Sequence, residues 1–178
     1  MAAPLPAESL EIELIRNGLA AIADEMAIVE VRAAYSTVVR DLLDFSTAVC
    51  DGEGRVLAQG LTLAIQLGAI PRFMRVLLDK VERAAPGDVF LANDPWQGGV
   101  HLPDFFFAKP IFCDGEAEPV AWGACVTHMV DVGGRWPGGI SVAAQTLWEE
   151  GLILPIVRLI EAGEPNQGAL DEIGRAHV

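Results

Sequence analysis

The sequence predicts a mixed α+β protein, with N-terminal helices followed by a strand- and loop-rich, glycine-rich half. Apolar residues recur at helical spacing up to about Leu43, which favours helices there. From Asp88 onward, short apolar runs are separated by glycine and proline, which is typical of strands and loops. No internal repeat, linker or charge block marks a border, so we expect one unit over residues 1–178.

The first helices are predicted from the periodicity of the N-terminal part. A long amphipathic helix is expected from Ser9 to about Arg32, with Ser9 as its N-cap. A shorter helix is expected over Ala33 to Leu43, with Tyr35 on its apolar face. The apolar stripe of the first helix is Leu10, Leu14, Ile15, Leu19, Ile22, Met26 and Val29.

Turn residues divide the rest of the chain. Asp51-Gly52-Glu53-Gly54 predicts a β-hairpin, and Pro71 lies near the start of a helix that ends before Pro86-Gly87. Asp114-Gly115 and the stretch 161–164 predict two further turns. The strands expected in the second half cover residues 89–92, 105–107, 110–112 and 120–129, after which come the segment 152–160 and a helix from Leu170 to Ala176.

Composition limits the classes of partner. The formal net charge of −13, with no cluster of basic residues, opposes binding to nucleic acid or to an anionic membrane. The sequence has no run of about 18 apolar residues, so no membrane span is predicted. The odd number of cysteines, Cys50, Cys113 and Cys125, each in an apolar run, argues against a disulfide framework. We therefore expect a cytoplasmic protein.

Two histidines lie where they could bind a metal ion. His101 precedes Asp104 by three residues, and Leu102-Pro103 between them favours a turn that brings both side chains to one ion. His128 follows an apolar strand and could supply a third ligand, which leaves the coordination sphere open for catalysis. Such spacings also arise by chance, and a lone histidine beside an apolar strand is more often a core or surface residue.

Other polar residues have two interpretations. Asn93-Asp94-Pro95 could form a loop that approaches a ligand or a plain turn. Asp44, at the start of a strand, could cap a turn or reach into a site. Glu149-Glu150 could be a ligand, a base or a solvated pair. The chain has no GxxxxGK[ST] phosphate loop and no GxGxxG fingerprint, so no nucleotide site is predicted in it.

An ordered series of short motifs resembles the hydantoinase B/oxoprolinase family over about residues 32 to 167. The most specific part is the string NDPxxGGxHLxD, followed by HxxDVGG and EGLxxP. The segments that carry the resemblance are Arg40-Asp41, Asp44-Phe45-Ser46, Asp51-Gly52, Gly54, Pro86-Gly87-Asp88-Val89, Asn93-Asp94-Pro95, Gly98-Gly99, His101-Leu102, Asp104, His128, Asp131-Val132-Gly133-Gly134, Glu150-Gly151-Leu152 and Pro155.

The resemblance implies a subunit of an ATP-dependent enzyme that hydrolyses cyclic amides such as hydantoins, 5-oxoproline or lactams. It also implies a hydantoinase A-type partner that carries the ATP site, in a cytoplasmic hetero-oligomer. The alternatives are a subunit of an ATP-dependent acetone or acetophenone carboxylase, and a catalytically silent structural module. The chain is shorter than is usual in the family, so we expect it to be a truncated, N-terminal portion of such a subunit.

The resemblance also implies the site residues. His101, Asp104 and His128 are the expected ligands of a zinc or manganese ion, with Asp44 as a fourth ligand. The ion would polarise a ring carbonyl or make hydroxide available near neutral pH. Asp131 is expected to orient a ligating imidazole or to act as a general base, and His128 is expected to take part in catalysis. Gly138-Gly139 stands where a PGS-like string is commoner.

Overall fold

The computed structural model describes residues 7–60, 62 and 64–175. In this part of the chain, seven strands form one antiparallel sheet in the order β2-β1-β5-β4-β3-β6-β7. The strands are β1 (Phe45–Asp51), β2 (Val56–Gln59), β3 (Val89–Ala92), β4 (Asp104–Ile111), β5 (Ala121–His128), β6 (Val157–Glu161) and β7 (Glu164–Pro165). The helices are α1 (Ala7–Ala33), α2 (Thr37–Arg40), α3 (Ala64–Leu67), α4 (Ile70–Lys80) and α5 (Gln167–Arg175), and 3₁₀ turns span Pro95–Gln97 and Leu147–Glu149. The predicted α+β class is confirmed.

The two faces of the sheet have different partners. Side chains alternate along a strand, so the even-numbered residues of β1, β4 and β5 share one face. That face packs against α4 in the main core, which includes Ala48, Cys50, Phe73, Met74, Leu77, Phe90, Phe106, Ala108, Trp122, Ala124 and Val126. The odd-numbered face receives α1, since the Thr47 hydroxyl donates to the carbonyl of Ala23 over 2.9 Å.

Helix α1 does not bury the stripe that its periodicity predicts. The residues that it buries are Ala23 and Ala27, whereas Leu10, Leu14, Ile15, Ile22 and Val29 are exposed in the described chain. The helix backbone lies close to the start of the segment after β2, because a Cβ on Gly60 would be 2.8 Å from the carbonyl oxygen of Ala23. Small residues allow that approach and larger ones do not. The predicted N-cap was also wrong, since Ser9 lies inside a helix that begins at Ala7.

The second predicted helix is much shorter than expected. Only Thr37–Arg40 is helical, and the Ser36 hydroxyl accepts a hydrogen bond from the Val38 amide over 3.1 Å, which caps the helix start. The predicted apolar face of this helix was wrong at Tyr35, which is 99% exposed. Leu43 has a φ of 56°, which ends the turn and leads the chain into β1.

The predicted strands and turns are largely confirmed. Strands β1 and β2 form the expected hairpin, and β4 and β5 pair along their whole length around the turn at 114–115. The runs 105–107 and 110–112 were predicted as separate strands, but β4 is continuous through Pro110. The pairing of β3 with β4 ends at Ala108, so the missing N–H of Pro110 costs no bond to β3. Of the segment 152–160, only the part from Val157 is a strand.

The C-terminal helix α5 runs from Gln167 to Arg175, so it begins earlier than predicted. Ala176 and His177 lie outside the described residues. No helix in the described part of the chain is long and apolar enough to cross a membrane.

Candidate metal centre

The site lies at one end of the β4–β5 pair. Asp104 begins β4 and His128 ends β5, and the two residues are directly opposite each other. His101 lies one turn before β4, where the Asp104 amide donates to the His101 carbonyl over 3.0 Å. Leu102, between them, is fully buried and anchors this turn in the core. The predicted turn at 101–104 is therefore present, and it places His101 beside the strand ends.

The three side chains converge on one carboxylate oxygen. The Oδ1 atom of Asp104 is 3.1 Å from Nε2 of His101 and 3.1 Å from Nδ1 of His128. The two imidazole rings are 5.1 Å apart between centroids. Asp104 has 3% of its side chain exposed and His128 has 14%, whereas His101 has 36%. The sheet therefore shields Asp104 and His128 from solvent, and solvent reaches the cluster at His101.

Asp44 joins the cluster from the start of β1. Its Oδ2 atom is 3.7 Å from Nδ1 of His128, and its carbonyl accepts a hydrogen bond from the His128 amide over 3.1 Å. The Asp44 side chain is 29% exposed. All four residues predicted as ligands are therefore brought to one place, with Asp44 more distant from the shared oxygen than the two histidines.

The electrostatics of the cluster favour an ionised Asp104 and a protonated His128. Burial opposes ionisation of Asp104, but hydrogen bonds and charge interactions with His101 and His128 outweigh it, so the pKa of Asp104 lies below its ordinary value. The hydrogen bond to Asp104 raises the pKa of His128, burial lowers it, and the charges of Asp44 and Asp104 raise it further, with a net upward shift. A cation would be stabilised by the same carboxylates.

Gln66, in the short helix α3, is a member of the cluster that the sequence did not indicate. Its side-chain amide donates to Oδ1 of Asp44 over 2.9 Å and to Oδ1 of Asp104 over 3.2 Å. Its carbonyl oxygen accepts from the Ser46 hydroxyl over 3.3 Å. Gln66 is 3% exposed. In the sequence, Gln66 is marked only as a polar residue in an otherwise apolar run, which does not indicate its partners.

The donor set fits a divalent metal ion. One ligand atom each from His101, Asp104 and His128 lies within 4.8 Å of the other two. Two atoms bound to one ion at about 2.1 Å lie roughly 3.0–3.4 Å apart, which matches the two contacts at Asp104. Imidazole nitrogen with carboxylate oxygen suits Zn²⁺ and Mn²⁺.

The NDP segment has a structural role. Asn93 is fully buried, and its side-chain amide donates to the carbonyls of Leu102 and Leu152, each over 2.8 Å. Its carbonyl oxygen accepts from the Leu154 amide over 2.6 Å. Asp94 caps the following 3₁₀ turn by accepting from the Trp96 amide over 2.9 Å. Asn93 thus holds the turn that carries His101 against the segment after Gly151.

Asp131 shapes the loop after β5. Its Oδ1 atom accepts from the Gly133 amide over 2.8 Å, and its Oδ2 atom accepts from the Gly138 amide over 3.0 Å. The loop lies close to the EGL segment, because a Cβ on Gly134 would be 2.3 Å from the Glu150 carbonyl oxygen. These contacts give Asp131 a defined position three residues after His128.

Glu149 belongs to a surface turn. It forms a capping box with Thr146 and an ion pair with Arg135 over 2.9 Å. The adjacent Gly151 has a φ of 140° and packs on Val132. The sequence allowed Glu149 to be a ligand, a base or a solvated residue. Its contacts are those of a surface residue that stabilises a turn.

A largely apolar groove of about 870 Å³ lies between α1 and the odd-numbered face of the sheet. Glu30 of α1 lies in it and accepts a hydrogen bond from the Thr127 hydroxyl. Burial raises the pKa of Glu30 from 4.5 to about 7, and the bond from Thr127 opposes that rise. Cys125 also lines the groove, and burial raises the pKa of its thiol, which disfavours a thiolate nucleophile. Cys50, Cys113 and Cys125 are free thiols.

The fold and the cluster define a mixed α+β protein with a histidine–carboxylate centre at the end of an antiparallel strand pair. The family model described as hydantoinase B/oxoprolinase matches residues 8–177, and the chain belongs to this family. A protein of Methanocaldococcus jannaschii is 34% identical over 170 residues, which is 93% of this chain and 30% of the relative. The 5-oxoprolinase 1 of Arabidopsis thaliana is 30% identical over 158 residues, which is 88% of this chain and 12% of the relative.

Solved structures share the fold. An acetone carboxylase without nucleotide superposes with a TM-score of 0.86 at 20% identity, over 96% of this chain and 22% of that one. The ATP-dependent caprolactamase of Pseudomonas jessenii superposes with a TM-score of 0.79 at 25% identity, over 96% of this chain and 29% of that one. The chain spans only 11% to 30% of the length of the curated relatives that it matches.

Proposed function

We propose that this chain is the metal-binding portion of a subunit of an ATP-dependent enzyme that hydrolyses cyclic amides. The observation that carries the proposal is the convergence of His101, Asp104 and His128 in a member of this family. Relatives named as 5-oxoprolinase and as the beta subunit of caprolactamase support a cyclic amide as the substrate class.

In this proposal His101, Asp104 and His128 hold a zinc or manganese ion, with Asp44 as a fourth ligand. A bound ion would supply Lewis-acid polarisation of the ring carbonyl. Asp104 keeps both imidazoles directed at the same point, because its Oδ1 atom is equally distant from the two. His101, as the most exposed of the three, lies on the side from which substrate would approach.

The proposed catalytic residues are His128 and Asp131. His128 is held in place by Asp104 and by the backbone of Asp44, so its ring orientation is well defined. Asp131 is proposed to act as a general base or to orient the ligating imidazole. Its position close after His128 in the chain is consistent with either role.

The ATP-dependent step is proposed to belong to a hydantoinase A-type partner. The sequence has no glycine-rich phosphate loop with its lysine, so this chain lacks the usual means of holding a triphosphate. Two relatives, one named as the beta subunit of caprolactamase and one named as a subunit of a D-/L-hydantoinase, support an assembly of unlike subunits. Phosphorylation of the amide oxygen by the partner would prepare the ring for attack by water.

A subunit of a ketone carboxylase is the second candidate. The superposition on acetone carboxylase favours a shared fold only, because the identity is 20%. A catalytically silent structural module is the third.

The deciding experiment mixes the full-length protein with a hydantoinase A-type partner, a divalent metal and ATP. ATP hydrolysis that depends on a lactam, hydantoin or 5-oxoproline, together with ring opening, is the expected result. ATP hydrolysis that instead depends on a ketone and bicarbonate would support the carboxylase. Activity that is unchanged when this chain is omitted would support the silent module.

A further inference from the structure

We propose that Gln66 is a positioning residue that holds the carboxylates of Asp44 and Asp104 in the orientation that a divalent cation requires. This inference rests on the proposed metal site and extends it to a side chain that does not itself need to touch the ion. The Gln66 side chain lies within the cluster and contacts both aspartates.

The Gln66 amide lies between two carboxylates. Its nitrogen carries two hydrogens, one for Oδ1 of Asp44 at 2.9 Å and one for Oδ1 of Asp104 at 3.2 Å. Two aspartates that converge on one point repel each other when both are ionised. A neutral donor between them fixes their geometry but does not remove their charge. The negative charge therefore stays available for a cation.

A further contact fixes the amide itself. The Ser46 hydroxyl donates to the Gln66 carbonyl oxygen over 3.3 Å, which directs the amide nitrogen toward the aspartates. Ser46 is fully buried and lies on the even-numbered face of β1, as does the cluster. A buried amide with all of these partners satisfied is held in one orientation, because any rotation leaves polar groups unpaired.

Gln66 contacts two proposed ligands, Asp44 and Asp104, that come from different strands. Asp44 enters from the start of β1 and Asp104 from the start of β4, and β5 lies between these strands in the sheet. Gln66 connects the two across the end of β5, where His128 lies. Loss of the amide would leave Asp44 without its hydrogen-bonded partner on that side and free to turn toward solvent.

The test compares metal binding by the wild type and Gln66→Leu. Leucine fills similar space but donates no hydrogen bond. We expect the affinity for Mn²⁺, measured by calorimetry on the full chain, to fall about 10–100-fold, as is typical when a ligand loses its supporting hydrogen bond. The visible spectrum of Co²⁺ bound in place of Mn²⁺ should change as well, since it reports ligand geometry rather than stability.

Gln97→Leu is the matched control. Gln97 also donates its side-chain amide to an aspartate, Asp94, over 2.8 Å, but that pair lies outside the cluster. This variant should bind Mn²⁺ as the wild type does. If Gln66→Leu lowers thermal stability no more than Gln97→Leu and still binds metal weakly, a general structural role is excluded.

A double-mutant cycle tests the mechanism. Gln66→Leu should cost much less Mn²⁺ affinity in an Asp44→Ala background, because one of the carboxylates that it positions is then absent. Equal costs in both backgrounds, or wild-type affinity in Gln66→Leu, would overturn the inference. Absence of Mn²⁺, Co²⁺ and Zn²⁺ binding in the wild type would instead overturn the metal site itself, so the two failures are distinguishable.

Discussion

Asp104 and His128 face each other across the end of the β4–β5 pair, and the Nδ1 atom of His128 is 3.1 Å from the Oδ1 atom of Asp104. The pairing of two backbones therefore determines the separation of these side chains. His101 and Asp44 reach the same place from a turn and from another strand.

His101→Ala should greatly lower the affinity for Zn²⁺ or Mn²⁺, because it removes a proposed ligand. The loss should exceed the roughly 10–100-fold that is typical when a residue that only hydrogen-bonds to a ligand is removed. Asp44→Asn should have a smaller effect, since Asp44 lies farther from the shared oxygen. Elemental analysis after dialysis gives the metal content of each variant. His101 is partly exposed, so its loss should leave the thermal midpoint of the apo-protein nearly unchanged. Equal metal content in wild type and His101→Ala would refute the site.

Asp131→Asn should keep the fold and most of the metal but reduce turnover in the assembled enzyme by about 10²–10⁴-fold if Asp131 is a general base. Asp94→Asn is a suitable control, because Asp94 also shapes a loop by accepting from a backbone amide. Steady-state ring opening with ATP is the measurement. Wild-type turnover in Asp131→Asn would show that Asp131 shapes the loop, through contacts such as those with Gly133 and Gly138, and is not the general base.

Glu30→Gln should stabilise the protein at pH 8 and not at pH 4. The pKa of Glu30 is raised from 4.5 to about 7 in the folded protein, so folding is linked to proton uptake between these values. The stability due to Glu30 is therefore fully present below pH 4.5 and falls as pH rises to about 7. Urea unfolding should give a gain on the order of 1–3 kcal/mol at pH 8. Glu25→Gln, at an exposed position of α1, is the control, and an equal gain there would contradict this cause.

Asn93→Leu should destabilise the fold by about 3 kcal/mol or more, because two buried backbone groups and one partly buried group lose their partner. Asn166→Leu, which removes an exposed asparagine with two backbone contacts, should cost about 1 kcal/mol. Denaturant unfolding of both variants measures the difference. Similar losses would mean that burial of Asn93 adds nothing.

The isolated chain should neither bind ATP with micromolar affinity nor hydrolyse it. Titration calorimetry with Mg-ATP should show no saturable heat, and phosphate release should stay at the level of the buffer. A saturable signal in the micromolar range would place a nucleotide site in this chain and contradict the proposed division of roles with the partner.

The turn and the strand that carry the histidines of the cluster were predictable from the sequence. The spacing of His101 and Asp104 with Leu102-Pro103 between them indicated a turn, and the apolar run before His128 indicated a strand. Gln66 was not predictable, because its role depends on which strands α3 packs against. A glutamine in a short apolar run carries no local signal of its partners.

Helix α1 shows the same limit on a larger scale. The periodicity of its sequence shows where the apolar residues lie on the helix. It does not show which of them pack against the rest of the protein. Ala23 is buried where the segment at Gly60 comes close to the helix backbone, and Ala27 is buried in a cluster with Val39 and Phe45. Both contacts are properties of the tertiary fold. The short α2 likewise reflects a local competition, since the Ser36 side chain caps the backbone where a longer helix was expected.

The alternation of faces along β5 makes this strand intolerant of a change in length. Thr127 points toward α1 and His128 toward Gln66, so one residue inserted within β5 would exchange the two faces. The imidazole would then enter an apolar groove, and a threonine would stand opposite Asp104. An insertion in the mostly exposed connection 112–120 would leave every rung of the β4–β5 ladder intact. Length variation among natural variants should therefore accumulate in that connection, and β5 itself should keep eight residues.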